Sequence, residues 1–82
     1  MYEKNELRRK IKLANVSDVH EFVKLADACD FDVNIGYDRI IIDAKSIVGV
    51  MGLDLGRDLM VHCYGKKKKM GQFLEDHQIA GK

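Results

Sequence analysis

The part of the chain with the clearest chemical possibilities is the stretch from Asp43 to Gly56. Within it, Ser46 stands directly before an apolar run that holds Ile47, Val48, Val50, Met51 and Leu53. A serine in this position is a favourable N-cap, because its hydroxyl accepts a hydrogen bond from a backbone N–H two or three residues on. The free N–H groups at such a helix end also favour a phosphate. The residues alone leave two interpretations of Ser46: a cap on a short buried helix, or a phosphorylation site beside an apolar surface.

The histidines and cysteines lack the spacing of a metal site. His62 and His77 have no carboxylate, cysteine or second histidine at ligand spacing, so we expect no metal and no cofactor. His20 falls on the polar side of a predicted helix, where a solvated surface histidine is the ordinary interpretation. Cys29 and Cys63 lie outside any CxxC pattern, and we expect both to be buried, unbridged residues of a cytoplasmic protein.

Length and composition indicate one small globular domain over residues 1–82. The apolar fraction of 46% is ordinary for a folded protein, and no stretch reaches the roughly 20 apolar residues of a membrane span. The amino terminus has no apolar run typical of a secretory signal. The formal net charge is +1, and the run Lys66–Lys69 has no interleaved aromatic residue. We therefore expect neither a membrane nor a nucleic acid as partner.

The spacing of apolar residues predicts the elements that position these side chains. Apolar and polar residues alternate in strands, whereas in helices the apolar residues recur every three or four positions. The pattern predicts a strand over 7–14, a helix over 16–29, a hairpin of strands over 31–37 and 40–42, a short helix after Ser46, a strand over 59–64, and a short, fraying helix around 70–77. The order β-α-β-β-α-β-α, with strands apolar on one side, predicts an α+β fold with helices on one face of an antiparallel sheet.

The segment Asp43–Leu53 and the order of the elements resemble HPr, the small phosphocarrier of the bacterial phosphoenolpyruvate-dependent sugar phosphotransferase system. The segment is most similar to the regulatory segment of HPr proteins from Gram-positive bacteria, and Glu21–Lys24 stands where the family's first helix has a similar segment. The resemblance covers about residues 7–65. It implies an open-faced sandwich with a four-stranded antiparallel sheet in the order 1-4-2-3, and it matches Ser46 to the family's regulatory serine.

The carrier site of the same family is missing from this chain. The family has a histidine, followed two residues on by arginine and then proline, where this sequence has Asn15, Ser17 and Asp18. A phosphocarrier needs an imidazole nitrogen that accepts and yields the phosphoryl group, and an asparagine amide has no such nucleophile. The resemblance therefore implies a protein without phosphocarrier activity. It is similar in this respect to a branch of the family that lacks the carrier histidine and acts in carbon catabolite regulation.

These features together imply a regulatory binding protein rather than an enzyme. By resemblance, an HPr kinase/phosphorylase phosphorylates Ser46, and a catabolite-control transcriptional regulator docks on the surface formed by Lys45, Ile47, Val48 and Met51. A phosphate would change the potential over this surface and so the choice of partner. We expect a monomer or a weak dimer. Two alternatives stay open: a phosphocarrier that uses a displaced histidine, His20, and an HPr fold that serves as a plain interaction domain.

Overall fold

The computed structural model describes residues 6–79, in which strands and helices follow one another in the predicted order. The elements are β1 (Leu7–Ile11), α1 (Val16–Asp27), β2 (Val33–Tyr37), β3 (Ile40–Asp43), α2 (Ile47–Met51), β4 (Leu59–Cys63) and α3 (Lys68–His77). Among the helices of this described part, none has the length and apolar character needed to cross a membrane.

The strands of residues 6–79 form one antiparallel sheet in the order β1-β4-β2-β3. β4 is a central strand, in which Leu59 pairs with Ile11 of β1 and Val61 pairs with Ile35 of β2. β3 is joined to β2 by a tight hairpin and lies at the edge of the sheet. The predicted α+β class, element order and strand order are therefore confirmed.

The helices lie on one face of the sheet, and the core fills the space between them. α1 buries Val19, Phe22 and Ala26, and the Phe22 and Phe73 rings lie 5.9 Å apart between their centroids. From the sheet, alternate residues of β1, β2 and β4 enter the core, because successive side chains of a strand point to opposite faces. The sheet residues whose side chains are fully buried in this way are Ile11, Val33, Ile35, Leu59, Val61 and Cys63. The opposite face of the sheet carries no helix within residues 6–79.

Some boundaries differ from those predicted from the sequence. β1 ends at Ile11 rather than at residue 14, because the Ala14 amide donates instead to Asp18 Oδ2 at 2.9 Å, ahead of α1. α3 begins at Lys68, before Met70, although no side chain caps it. Burial of Met70, Phe73 and Leu74 explains this helix, since tertiary packing of an apolar stripe outweighs weak local propensity.

The β2–β3 hairpin is attached to the loop that follows α2. Asp38, at the turn, has a φ of 53°, in the left-handed region that aspartate tolerates better than most residues. The Tyr37 hydroxyl accepts a hydrogen bond from the Asp54 amide at 2.9 Å. Arg57 Nη2 donates to Asp38 Oδ2 at 2.8 Å, and the guanidinium lies 4.2 Å from the centroid of the Tyr37 ring. These contacts hold the carboxyl end of α2 against the sheet.

Candidate functional site

Ser46 is the N-cap of α2, as the sequence predicts. Its backbone is extended, with φ −98° and ψ 106°, and its hydroxyl oxygen accepts a hydrogen bond from the Gly49 amide at 3.1 Å. The Ser46 carbonyl accepts the first helical hydrogen bond, from the Val50 amide at 3.0 Å. The residue itself is exposed. The capping role and accessibility to a modifying enzyme are therefore compatible in this geometry.

The amides that follow Ser46 make its surroundings electropositive. Those of Ile47 and Val48 have no hydrogen-bond partner among residues 6–79. Unpaired N–H groups at the start of a helix carry partial positive charge. A phosphate on the Ser46 oxygen would lie beside these donors.

The apolar surface beside Ser46 is exposed on α2. Val48 is 80% exposed and Met51 is 42% exposed, whereas Ile47 is half-buried and Val50 faces the core. α2 therefore uses one face for packing and presents Val48 and Met51 to solvent. An exposed methionine suits a docking surface, because its flexible thioether adapts to different partners.

Lys45 lies at this surface, but its ammonium group is directed elsewhere. Lys45 Nζ donates to the Cys29 carbonyl at 3.0 Å, and Lys67 Nζ donates to the Ala28 carbonyl at 3.4 Å. Both carbonyls belong to the end of α1, where the helix dipole is negative and cations are favourable. This contact gives one lysine of the run Lys66–Lys69 a structural role, which the sequence pattern did not reveal.

A groove of about 830 Å³ separates α1 from the start of α2. Its walls combine apolar and charged side chains, namely those of His20, Glu21, Val23, Lys24, Asp27, Lys45 and Ile47. His20 is exposed there, and its imidazole forms no hydrogen bond or ion pair with residues 6–79. It lies within the hydrogen-bonded body of α1, away from the free amides at the helix start. The groove therefore extends the Ser46 surface onto α1, and within it His20 lies away from any free helix-start amide.

The start of α1 is occupied by the protein's own carboxylate. Asn15 is the N-cap, and its Oδ1 accepts from the Asp18 amide at 2.9 Å. In return, Asp18 Oδ2 accepts from the Ala14 amide at 2.9 Å. A carboxylate in the first turn is favourable to the helix dipole, and it repels a second anion placed at the same end. Asn15, which the resemblance to HPr would align with the carrier histidine, thus belongs to a closed cap.

His77 completes this cap from the end of α3, a contact that the sequence pattern does not indicate. His77 Nε2 lies 3.5 Å from Asp18 Oδ1, and Nδ1 lies 2.8 Å from the Phe73 carbonyl oxygen. The imidazole stacks on the Phe73 ring, with 4.0 Å between centroids. Because both ring nitrogens face oxygens, neither is free to attack a phosphoryl donor in this conformation. No local spacing signals this pair, since α1 and α3 are far apart in sequence.

The two cysteines are free and buried, as predicted. Cys29 Sγ donates to the Leu25 carbonyl at 3.3 Å. Burial raises the pKa of both thiols, and that of Cys63 reaches about 11. Thiols with such values are almost entirely protonated at neutral pH and are poor nucleophiles. Within residues 6–79, no cluster of three histidine, cysteine or carboxylate side chains is arranged to hold a metal ion.

The Glu6 carboxylate lies on the open face of the sheet between two basic side chains. His62 Nδ1 lies 2.9 Å from Glu6 Oε2, and Arg8 Nε donates to the same oxygen at 3.2 Å. The hydrogen bond to His62, with a smaller contribution from Arg8, lowers the pKa of Glu6 below its usual 4.5.

The substitution Glu6→Gln should flatten the acid side of the stability profile. A carboxylate whose pKa is lower in the folded state stabilises the fold above its unfolded-state pKa, and the contribution is lost as the pH falls through the folded-state pKa. For Glu6 this loss lies below pH 4.5. Urea unfolding at about pH 6 and about pH 3 measures it. The wild type should lose more stability than the variant over this interval, and equal losses would contradict the assignment.

Comparison of the chain with protein-family models, with curated proteins and with solved structures found no match. The proposed function therefore rests on the resemblance of Asp43–Leu53 to HPr, together with the geometry around Ser46 and at the start of α1.

Proposed function

We propose that this chain is a regulatory binding protein of the HPr type, without phosphocarrier activity, that acts in the bacterial cytoplasm in carbon catabolite regulation. The observation that carries the proposal is the exposed Ser46 hydroxyl at the start of α2, beside Val48, which is 80% exposed. Phosphorylation of Ser46 regulates which protein docks on the surface of Lys45, Ile47, Val48 and Met51. The enzyme that modifies Ser46 is an HPr kinase/phosphorylase, and the docking partner is a catabolite-control transcriptional regulator.

The phosphate acts through charge and needs no refolding. It adds about −1.5 to −2 charges at neutral pH, next to the unpaired amides of Ile47 and Val48. These donors hold the phosphate at the edge of the apolar surface of α2. A partner with basic residues around an apolar pocket is then favoured, and a partner with acidic residues is disfavoured.

The start of α1 argues against a phosphocarrier. The amide of Asn15 offers no nucleophilic nitrogen, and His77, which contacts the same cap through Asp18, has both ring nitrogens facing oxygens of Asp18 and Phe73. The Asp18 carboxylate would also repel an incoming phosphoryl group. These contacts support a role in which Ser46 alone accepts phosphate.

Mass measurement after two separate incubations tests the proposal. With ATP and an HPr kinase/phosphorylase, the protein should gain one phosphoryl group, and Ser46→Ala should abolish the gain. Ser17→Ala is the matched control, because Ser17 is the one other serine in the chain and is also exposed. With phosphoenolpyruvate and the first enzyme of the phosphotransferase system, no gain is expected.

The other outcomes overturn the proposal in distinguishable ways. A gain from phosphoenolpyruvate that His20→Ala abolishes would identify a carrier with a displaced histidine. Absence of any gain in both incubations would leave a plain interaction domain.

Where Ser46 is modified, binding of the phosphorylated protein to the regulator should be weakened by Val48→Glu, which introduces a charge on the exposed apolar surface without touching the core.

A further inference from the structure

β3 leaves one edge of the sheet without a partner strand among residues 6–79. Tyr37 pairs with Ile40 next to the turn, and the Ala44 amide donates to the Val33 carbonyl at 2.8 Å. Because hydrogen-bonding direction alternates along a strand, residues 40, 42 and 44 direct their N–H and C=O groups towards β2. The N–H and C=O groups of Ile41 and the N–H group of Asp43 therefore point away from the sheet.

The strand at this edge is also largely apolar, and Asp43 is its one charged residue. Ile41 is 66% exposed and Ile40 is 44% exposed, and the strand contains neither lysine nor proline. An exposed edge of this kind is a template for another strand. The opposite edge of the sheet differs, because Ile11 of β1 forms a bridge with Gln78 and the Ile79 amide donates to the Lys10 carbonyl at 3.0 Å.

We propose that β3 pairs with β3 of a second copy of this chain, antiparallel about a two-fold axis at Ile41. In this register Ile41 faces Ile41 of the second copy, and their outward N–H and C=O groups form a hydrogen-bonded pair. Arg39, in the turn directly before β3, then comes next to Asp43 of the second copy, once on each side of the axis. Both side chains are exposed, and neither forms an ion pair within residues 6–79.

Charge selects this register over its neighbours. Moving the axis to Ile42 places Asp43 opposite Ile41 of the second copy, so that Arg39 and Asp43 are no longer paired. Moving the axis to Ile40 places Arg39 opposite Ile41 of the second copy, so that Asp43 no longer has a basic residue opposite it. The arrangement uses the same edge of both copies, so it closes at two subunits and forms one continuous antiparallel sheet. It is independent of any modification of Ser46.

Sedimentation equilibrium of the whole chain over about 1 μM to about 1 mM tests the pairing. The expected result is a concentration-dependent rise from the monomer mass of 9.4 kDa to twice that value. Ile41→Lys should weaken association by about tenfold or more, because it places like charges on the axis. Val16→Lys, at an apolar residue of α1 that is 53% exposed, should leave association unchanged. A wild type that stays monomeric throughout, or a dimer insensitive to Ile41→Lys, overturns the proposal.

A charge exchange tests the register separately from the existence of a dimer. Arg39→Asp and Asp43→Arg should each weaken self-association, since each places like charges opposite one another twice. An equimolar mixture of the two variants should associate about as well as the wild type, because both cross-strand pairs are then of opposite charge. Circular dichroism establishes that each variant is folded before it is mixed. Failure of the mixture of folded variants to recover association rules out the register centred on Ile41.

Discussion

Replacing Phe22 by alanine is expected to lower the free energy of unfolding by about 3–5 kcal/mol. Phe22 is a residue of α1 that is 0% exposed in the core, and its ring lies 5.9 Å from that of Phe73 in α3. The loss combines the transfer free energy of a large apolar side chain with the cost of the cavity left behind. A small domain typically has about 5–15 kcal/mol of stability in total, so this one change removes a large part of it.

Urea unfolding followed by circular dichroism measures this effect, provided that the slope of the transition is unchanged. Val48→Ala is the matched control, because Val48 is 80% exposed and its truncation should change stability by no more than about 0.5 kcal/mol. A loss below about 1 kcal/mol for Phe22→Ala would show that the space between α1 and α3 is not a rigid core.

The parts of the fold that could be predicted are those whose signal is local. The alternation of Leu59, Val61 and Cys63 with Met60 and His62 predicts β4, and the structure buries the first three and leaves the other two partly exposed. The helical spacing of apolar residues predicts α1 in the same way. Both patterns reflect geometry within one element, so they can be recognised without knowing which other elements pack against it.

The boundaries could not be predicted as well, because they depend on contacts between distant parts of the chain. Leu13 continues the apolar alternation of β1 and is 1% exposed, yet the strand ends at Ile11. The Lys12 amide donates to the His77 carbonyl at 3.2 Å, on the same side of the chain as the Lys10 carbonyl that accepts from Ile79. The pattern therefore predicts correctly that Leu13 is buried. It does not predict that the next residue, Ala14, belongs to the cap at the start of α1.

In the candidate site, too, features with a local signal could be predicted and contacts between distant parts of the chain could not. Ser46 as N-cap follows from its own residue type and from the apolar run after it, and the structure confirms the cap. The contact of His77 with Asp18 and that of Lys45 with the Cys29 carbonyl join elements far apart in sequence. No periodicity encodes them, so only the folded chain shows that the start of α1 is closed.

The two helix starts are thus chemically opposite. At α1 the chain supplies a carboxylate, Asp18, which accepts from a backbone amide and leaves little attraction for an external anion. At α2 the neutral hydroxyl of Ser46 accepts a hydrogen bond from one backbone amide. The amides of Ile47 and Val48 stay unpaired within residues 6–79. This asymmetry is the physical reason why the proposal assigns phosphate to Ser46 rather than to the start of α1.

The second large effect is expected for Gly36→Ala, which should lower the free energy of unfolding by about 3 kcal/mol. Gly36 is buried in β2, where it pairs with Ile41 of β3 and Met60 of β4. A Cβ at this position would collide with the carbonyl of Ile40, which is backbone and has no alternative rotamer. Relief requires a shift of the hairpin, which is held by the hydrogen bond of the Tyr37 hydroxyl and by Arg57.

Gly71→Ala provides the matched control, because it is the same substitution in open space. Gly71 lies inside α3, and a Cβ there would meet no atom within 4 Å. Alanine is favoured over glycine in a helix interior, so this variant should gain about 0.5–1 kcal/mol. Urea unfolding of the two variants should therefore give effects of opposite sign. If Gly36→Ala unfolds at the same urea concentration as the wild type, β2 and β3 do not approach each other as closely as described.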